Sequence, residues 1–123
     1  MHAIVRSLIN LAFGLIMAGC GTEPSATSGL RVPPGFRIDR FAADVPNARS
    51  MALGDQGTLF VGTRSDGRVF ALRDIDGDQR VERRWTLAKG LDMPNGIEFR
   101  EGALYVAESG RILRYDGIED RLD

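Results

Sequence analysis

Histidine, cysteine and long apolar runs are scarce in this chain of 123 residues. The one histidine is His2 and the one cysteine is Cys20. Residues 3–123 therefore lack a histidine base, a serine–histidine–aspartate arrangement and a Cys/His metal cluster, and no disulfide can form within the chain. A glycine-rich phosphate loop is also missing. The formal net charge of −1 shows no bias toward nucleic acid.

The most apolar segment lies near the N-terminus and is short. One positive charge, an apolar run over residues 8–17 and two small residues precede Cys20. This order predicts a secretory signal peptide over residues 1–19, because the run is too short to span a bilayer comfortably. Ala18-Gly19-Cys20 resembles the bacterial lipobox, with Met17 where leucine is commoner. The resemblance implies lipidation of Cys20; the alternative is an incidental thiol.

Residues 20–31 are small, polar and rich in turn formers, which predicts a flexible tether between the lipid and a folded domain. We therefore expect an exported, periplasmic protein that is anchored to a membrane by several acyl chains. Gly21 follows the cysteine where an aspartate would favour the inner membrane in enteric bacteria. A glycine at position 21 therefore favours anchoring in the outer membrane.

Strands are predicted in two similar groups of three. The first group covers residues 47–53, 57–62 and 67–72, and the second covers 96–99, 103–107 and 111–115. The matching pairs, 45 or 43 positions apart, are Gly57 and Gly102, Leu59 and Leu104, Phe60 and Tyr105, Val61 and Val106, Gly67 and Gly110, and Val69 and Ile112. A repeat of this period built from strands alone predicts the blades of a β-propeller.

Each group is preceded by a predicted outer strand, at residues 35–42 and 81–88, and Pro-Asn pairs at 46–47 and 94–95 mark the crossings between blades. The fold class is thus predicted to be all-β, a β-propeller with about two blades within residues 32–123. Because propellers close with about four to eight blades, we expect either the N-terminal part of a longer protein or a product that must find its missing blades elsewhere. In both cases strand 35–42 has no partner within this chain. The alternative is a small two-sheet sandwich with exposed edges.

Loops of a propeller converge on one mouth, where ligand sites lie. Arg49 and Asn95 stand at the starts of inner strands and are the candidate cofactor-binding residues. For Asn95, the tight-turn preference of Pro-Asn-Gly is an alternative explanation. Loops on the same side carry Arg64, Ser65, Glu108 and Ser109. For Arg64 and Glu108, a solvated loop charge is the alternative to a ligand contact.

A second candidate is an acidic loop between the third strand and the outer strand. Asp74, Asp76, Asp78 and Glu82 surround a glycine, and closely spaced carboxylates suit a hard cation such as calcium. The match to an EF-hand loop is partial, because Gln79 stands where its turn glycine belongs. A polar hairpin without metal is the alternative. In either case the loop is predicted to lie opposite the mouth.

An ordered series of motifs resembles the start of the glucose/sorbosone dehydrogenase family. The motifs are VPPGF at 32–36, NARSMA at 47–52, LFVGT at 59–63, DIDGD at 74–78, GLDMPNG at 90–96 and LYVAE at 104–108. The resemblance implies a six-bladed propeller that binds pyrroloquinoline quinone (PQQ) with calcium. It also implies oxidation of aldoses or sugar-derived aldehydes, with transfer of the electrons to an acceptor that the sequence does not identify.

The family's catalytic histidine belongs to a later blade, so the resemblance implies no catalytic residue within this chain. Arg49 and Asn95 are the positions that it carries over to the cofactor side. Two other functions stay open: a gluconolactonase-like metal-dependent hydrolase, in which Asn95 would ligate the metal, and a non-catalytic propeller that binds a partner.

Overall fold

Seven β-strands and one turn of 3₁₀ helix form the structure, a computed structural model that describes residues 29–122. The elements are β1 Ala48–Leu53, β2 Leu59–Thr63, β3 Val69–Arg73, β4 Arg83–Ala88, β5 Gly96–Arg100, β6 Ala103–Glu108, β7 Arg111–Asp116 and the 3₁₀ helix Glu119–Arg121. The all-β class predicted from the sequence is confirmed. The predicted signal peptide, the lipidation at Cys20 and most of the tether lie outside the described residues.

The strands form two antiparallel meanders. The first sheet has the order β1-β2-β3-β4, and the second sheet has the order β5-β6-β7. Within each sheet, every strand pairs with its neighbour in sequence, since short hairpin loops join antiparallel strands. The six repeat strands lie where the sequence pattern predicts them. The predicted outer strand 81–88 is β4, which begins two residues later, at Arg83.

Residues 35–42 lack a strand partner in this chain, as predicted, and none of them is in a strand. The segment lies on the surface, and Phe36 is 72% exposed. Among the described residues, its backbone bond to the rest of the first repeat is from the Val81 N–H, in the loop before β4, to the Phe41 carbonyl, at 3.1 Å. An extended segment becomes a strand only when a neighbouring strand satisfies its N–H and C=O groups, and this segment has no such neighbour.

Loop length explains why the repeat has no single period. Two residues, Glu101 and Gly102, join β5 to β6, whereas residues 54–58 join β1 to β2. Both turn residues have positive φ, 51° and 75°, which is the type I′ turn that matches the twist of a hairpin. Leu53 pairs with Leu59 and Phe99 pairs with Leu104, so one residue fewer separates the paired positions in the second hairpin, and the matching interval falls from 46 at β1 and β5 to 45 at β2 and β6.

The main core lies between the two sheets. Phe60 of β2 stacks on Phe99 of β5, with ring centroids 5.5 Å apart. The buried residues of this core are Phe60, Val69, Ala71, Leu104, Val106, Ile118 and Leu122. A smaller cluster of Val61, Phe70 and Leu72 lies on the opposite side of the first sheet, where Phe41, Ala42 and Val45 cover part of it.

The two sheets pack head to tail. We call the side of the first sheet that packs against the second sheet its forward face, and the opposite side its rear face. The equivalent sides of the second sheet take the same names. In the first sheet Phe60 lies on the forward face and Val61 on the rear face. Their counterparts alternate in the same way: Val106 is on the rear face of the second sheet, against the first, and Tyr105 is on its outward forward face. The forward face of one repeat therefore covers the rear face of the other.

The sheets approach closely near β1 and β5, the strands that begin each repeat. Gly62 allows this approach, because a Cβ atom at this position would overlap the Pro94 carbonyl oxygen and the Ile97 side chain. Ser50 of β1 adds a polar contact, with its Oγ donating to Asn95 Oδ1 at 3.1 Å. Within residues 29–122, no helix is long and apolar enough to cross a bilayer.

Candidate functional site

Strand direction brings the candidate mouth residues to one end of the sheets. Antiparallel pairing puts the starts of β1 and β5 on the same side as the loop between β2 and β3 and the turn between β6 and β7. We call this side the mouth end. Arg49, Asn95, Arg64 and Glu108 all belong to these segments. Their grouping at one end therefore agrees with the sequence analysis.

Asn95 connects the two repeats. Its side chain is half-buried and accepts the hydrogen bond from Ser50, while its N–H donates to the Met93 carbonyl at 2.6 Å. The turn therefore uses the backbone of Asn95, and the contact between sheets uses its side-chain oxygen. Arg49 adjoins Ser50 in β1 and is exposed, so its guanidinium is accessible at the mouth end.

The loop between β2 and β3 is fixed by its own polar residues. Thr63 Oγ1 donates to the Arg68 carbonyl at 2.7 Å and accepts from the Arg68 N–H at 2.9 Å. Arg68 also pairs with Asp66, with Nη2 at 2.7 Å from Oδ1, and this hydrogen bond lowers the pKa of the Asp66 carboxyl. At its end the Gly67 carbonyl accepts from the Leu91 N–H at 3.0 Å. The loop is thereby tied to the segment that crosses to the second sheet.

Glu108 is not the solvated loop charge that the sequence suggests. Its side chain is almost fully buried, and Oε2 accepts from the Asp92 N–H at 2.8 Å. Oε1 pairs with the Arg111 guanidinium. The hydrogen bond from Arg111 and then that from the Asp92 backbone lower the pKa of the Glu108 carboxyl. Glu108 thus joins the crossing segment to the β6–β7 turn, whereas Arg64 is exposed as expected.

The acidic loop between β3 and β4 lies at the opposite end, as predicted. Asp74, Asp76, Asp78 and Glu82 can each offer one oxygen within 4.8 Å of the others, a donor set that could hold a metal ion. Asp74 accepts from two backbone N–H groups of the loop, at 2.7 and 2.9 Å. Asp76, Asp78 and Glu82 each accept one such bond. Each of these three carboxylates keeps an oxygen free of these bonds, so the geometry suits both the hairpin and the cation site.

A further polar centre at this end was missed by the sequence analysis. Glu119 is 7% exposed, and its carboxylate accepts from the Gln56 N–H at 3.0 Å and from the Thr58 N–H at 3.3 Å. Thr58 Oγ1 in turn accepts from Arg73 Nη2 at 2.8 Å. These bonds fasten the end of the second repeat to the first hairpin turn. Glu119 follows the last predicted strand, and no sequence pattern marks it as buried.

The chain is similar to a curated bacterial protein. An uncharacterized protein of Borreliella burgdorferi is 24% identical over 98 residues, which are 79% of this chain and 24% of that protein. The chain thus spans about a quarter of the length of the curated relative that it matches. No protein-family model matches the chain, and no solved structure matches it.

Proposed function

We propose that this chain supplies the first two blades of a periplasmic β-propeller that oxidises sugars with PQQ. The observation that carries the propeller is the head-to-tail packing of the two repeats. In a sandwich made by face-to-face pairing, the equivalent faces of the two sheets would meet. Here Phe60 and its counterpart Tyr105 both lie on the forward faces of their sheets, so a forward face meets a rear face. Such a heterologous contact, when it is repeated, continues around an axis.

The position of the closest approach supports the same architecture. Ser50 at the start of β1 is bonded to Asn95 at the start of β5, and Gly62 lets the neighbouring strands come together. Strands that begin each repeat are the inner strands of a propeller, which lie closest to its axis. If a third sheet packed on the second sheet as the second packs on the first, its inner strand would lie next to β5.

Arg49 and Asn95 are the residues that we assign to the cofactor side of the mouth. A quinone with carboxylate groups would be bound by a guanidinium such as that of Arg49 and by amide hydrogen bonds. When bound, PQQ would supply the acceptor for the hydride of the sugar, and the residues of this chain would bind and orient it. The exposure of Arg49 and the fixed position of Asn95 support these roles.

The hydrolase is the weaker alternative for Asn95. A metal-ligating asparagine uses its side-chain oxygen, and Asn95 Oδ1 already accepts the hydrogen bond from Ser50. The acidic loop, with Asp76 and Asp78, lies at the other end of the sheets. A calcium ion there would stabilise the blade and would not contact the substrate.

Sugar-dependent dye reduction with added PQQ and Ca²⁺ tests the proposal. The 123-residue chain alone should show no turnover, because its only histidine is His2. A polypeptide that joins this sequence to further histidine-bearing repeats should oxidise aldoses only with PQQ. In that polypeptide Asn95→Ala should weaken PQQ binding about tenfold, the equivalent of one hydrogen bond to a charged ligand. Asp55→Ala, in the exposed β1–β2 loop at the opposite end of the sheets, is the control.

Two results would contradict the proposal. Turnover by the 123-residue chain alone would show that the base does not belong to a later repeat. A longer polypeptide that folds but neither binds PQQ nor reduces the dye would exclude the quinone chemistry.

A further inference from the structure

Met93 lies at the mouth end, in the segment that crosses from the first sheet to the second, and its backbone conformation is unfavourable. Its φ is 51°, in the left-handed region that large side chains rarely adopt. The next residue is Pro94, and a residue before proline prefers a φ of about −120°. The other non-glycine residues of positive φ within residues 29–122 are polar, namely Asp44, Asn47, Gln79 and Glu101. Met93 is thus the one apolar residue of the described chain that carries this strain.

The fold does not use the side chain of Met93. It is 45% exposed and belongs to neither core cluster, whereas the neighbouring Pro94 is fully buried. The two sheets that this segment joins are both present, and a further repeat would pack on their outer faces and not on this crossing. A single exposed apolar side chain is ordinary. An exposed apolar side chain on a strained backbone is not, because glycine or asparagine would relieve the strain.

Hydrogen bonds on both sides of Met93 hold this conformation. The Asp92 N–H donates to Glu108 Oε2 at 2.8 Å, and the Asp92 carbonyl accepts from the Ser109 N–H at 2.9 Å. On the other side the Met93 carbonyl accepts from the Asn95 N–H at 2.6 Å. Strain that the surroundings enforce in this way is a feature of ligand-binding sites.

The exposed guanidinium of Arg49 belongs to the same region. Arg49 adjoins Ser50, whose Oγ donates to Asn95 Oδ1 at 3.1 Å, and Asn95 is in turn bonded to Met93. Arg49 stands at an irregularity in the pairing of β1 with β2, where Ala48 and Ser50 have partners and the residue between them does not. Such bulges often lie beside functional sites, where they re-aim a side chain. A cation and an apolar side chain therefore flank one bond at the mouth end.

The chemistry of these two side chains defines a class of ligand. A guanidinium binds a carboxylate through paired hydrogen bonds. A methionine thioether is polarizable, adapts to the surface that it meets and makes favourable contacts with aromatic rings. A neutral sugar offers neither a carboxylate nor an aromatic ring. A flat aromatic carboxylate offers both.

We propose that Met93 is a ligand-binding residue of the mouth, and that its thioether packs on the ring of a flat aromatic carboxylate whose charge is bound by Arg49. This inference rests on the proposed function in that PQQ, a fused-ring quinone with carboxylate groups, is the ligand of this class that a sugar dehydrogenase would use. The contact with the ring offsets the strain at Met93. The side chain binds and orients the ligand and exchanges no proton or hydride with it.

The methyl signals of the methionines test this contact. The full 123-residue chain, carrying ¹³C in its methionine methyl groups and purified in mild detergent, is titrated with PQQ or with naphthalene-2-carboxylate up to millimolar concentration. The ring current should move the Met93 signal upfield, while that of Met51, exposed in the middle of β1, should stay in place. Cyclohexanecarboxylate has the same charge as naphthalene-2-carboxylate but no aromatic ring, and it should give no such shift.

Substitutions at Met93 separate binding from stability. Met93→Asn should raise the melting temperature by about 5 °C, because asparagine tolerates a positive φ, and should weaken binding of naphthalene-2-carboxylate about fivefold. Met93→Leu keeps the strain and an apolar side chain, so its melting temperature should be unchanged and its affinity should stay within about twofold of the wild type. Arg49→Ala should weaken binding of both carboxylates.

The outcomes distinguish this inference from the proposed function. A Met93 signal that moves with neither aromatic ligand would overturn the inference, as would equal affinities of the wild-type chain and Met93→Asn. If naphthalene-2-carboxylate shifts the signal and PQQ does not, the aromatic carboxylate site stands and the PQQ chemistry falls. If a longer polypeptide with further repeats binds PQQ while its Met93 signal stays in place, the proposed function stands and the inference falls.

Discussion

Replacing Glu119 by alanine should lower the free energy of unfolding more than the loss of any other hydrogen-bonding side chain described above at the ends of the sheets. The carboxylate is buried and accepts from the Gln56 and Thr58 N–H groups. Thr58 is fully buried, so water cannot replace the lost acceptor at its amide. The substitution also opens space beside Gly54, against which the carboxylate packs.

The magnitude follows from the two bonds. A hydrogen bond to a charged group contributes about 1.5–3 kcal/mol, and an orphaned buried donor costs about 1–3 kcal/mol. Because the two contributions overlap, we expect the free energy of unfolding to fall by about 3 kcal/mol for Glu119→Ala. In a domain of this size that change lowers the melting temperature by more than about 10 °C. Glu119→Gln keeps one acceptor oxygen and should lose about half as much.

Urea unfolding followed by circular dichroism measures these differences. Asp120→Asn is the matched control, since Asp120 accepts from Gln56 Nε2 at 2.7 Å but is exposed. It should change the free energy of unfolding by less than about 0.5 kcal/mol. If Glu119→Ala is as stable as this control, the carboxylate does not fasten the two repeats together.

Three further predictions concern packing, pH and metal. Gly62→Ala should destabilise the fold by about 1–3 kcal/mol, because the added Cβ would meet the Pro94 backbone carbonyl. Gly110→Ala is the control and should have no such effect, because its Cβ would contact no other residue. Equal melting temperatures of the two variants would contradict the close approach of the sheets. The folded-state pKa of Glu108 is lowered, so its contribution to stability is present above its ordinary pKa of 4.5 and is lost as the pH falls through the folded value. Glu108→Gln should therefore flatten the acid limb of a stability-against-pH curve, and an unchanged limb would refute this. If the acidic loop binds calcium, millimolar Ca²⁺ should raise the melting temperature of the wild-type chain but not that of a combined Asp76→Asn and Asp78→Asn variant, and calorimetry should detect the binding.

The strands could be predicted because they depend on local information. Alternation of apolar residues with Gly-containing breaks fixes β1 to β3 and β5 to β7, and the repeat reveals which loops share an end. Residues 35–42 have the composition of a strand, but they lack a partner, as predicted, and so they form no strand here. Strand formation depends on hydrogen bonds to another segment, and composition does not show whether that segment is present.

The polar contacts could be predicted less well than the strands. Asn95 was placed at the correct end by its Pro-Asn-Gly context, yet its partner Ser50 lies 45 residues away. Glu108 looks like a loop charge until the fold brings Asp92 to it, 16 residues away in sequence. Such contacts depend on side-chain direction after the sheets have packed, and the sequence pattern carries no signal for it.

The bond from Glu119 to the first hairpin turn also has a kinetic consequence. It spans 61 to 63 residues, so the carboxylate reaches its two donors only after both meanders exist and have met. Closing so long a loop has a large entropic cost, so we expect this contact to form late on the folding pathway. Loss of Glu119 should therefore leave the refolding rate almost unchanged and accelerate unfolding, so this residue limits how long the two repeats stay together once assembled.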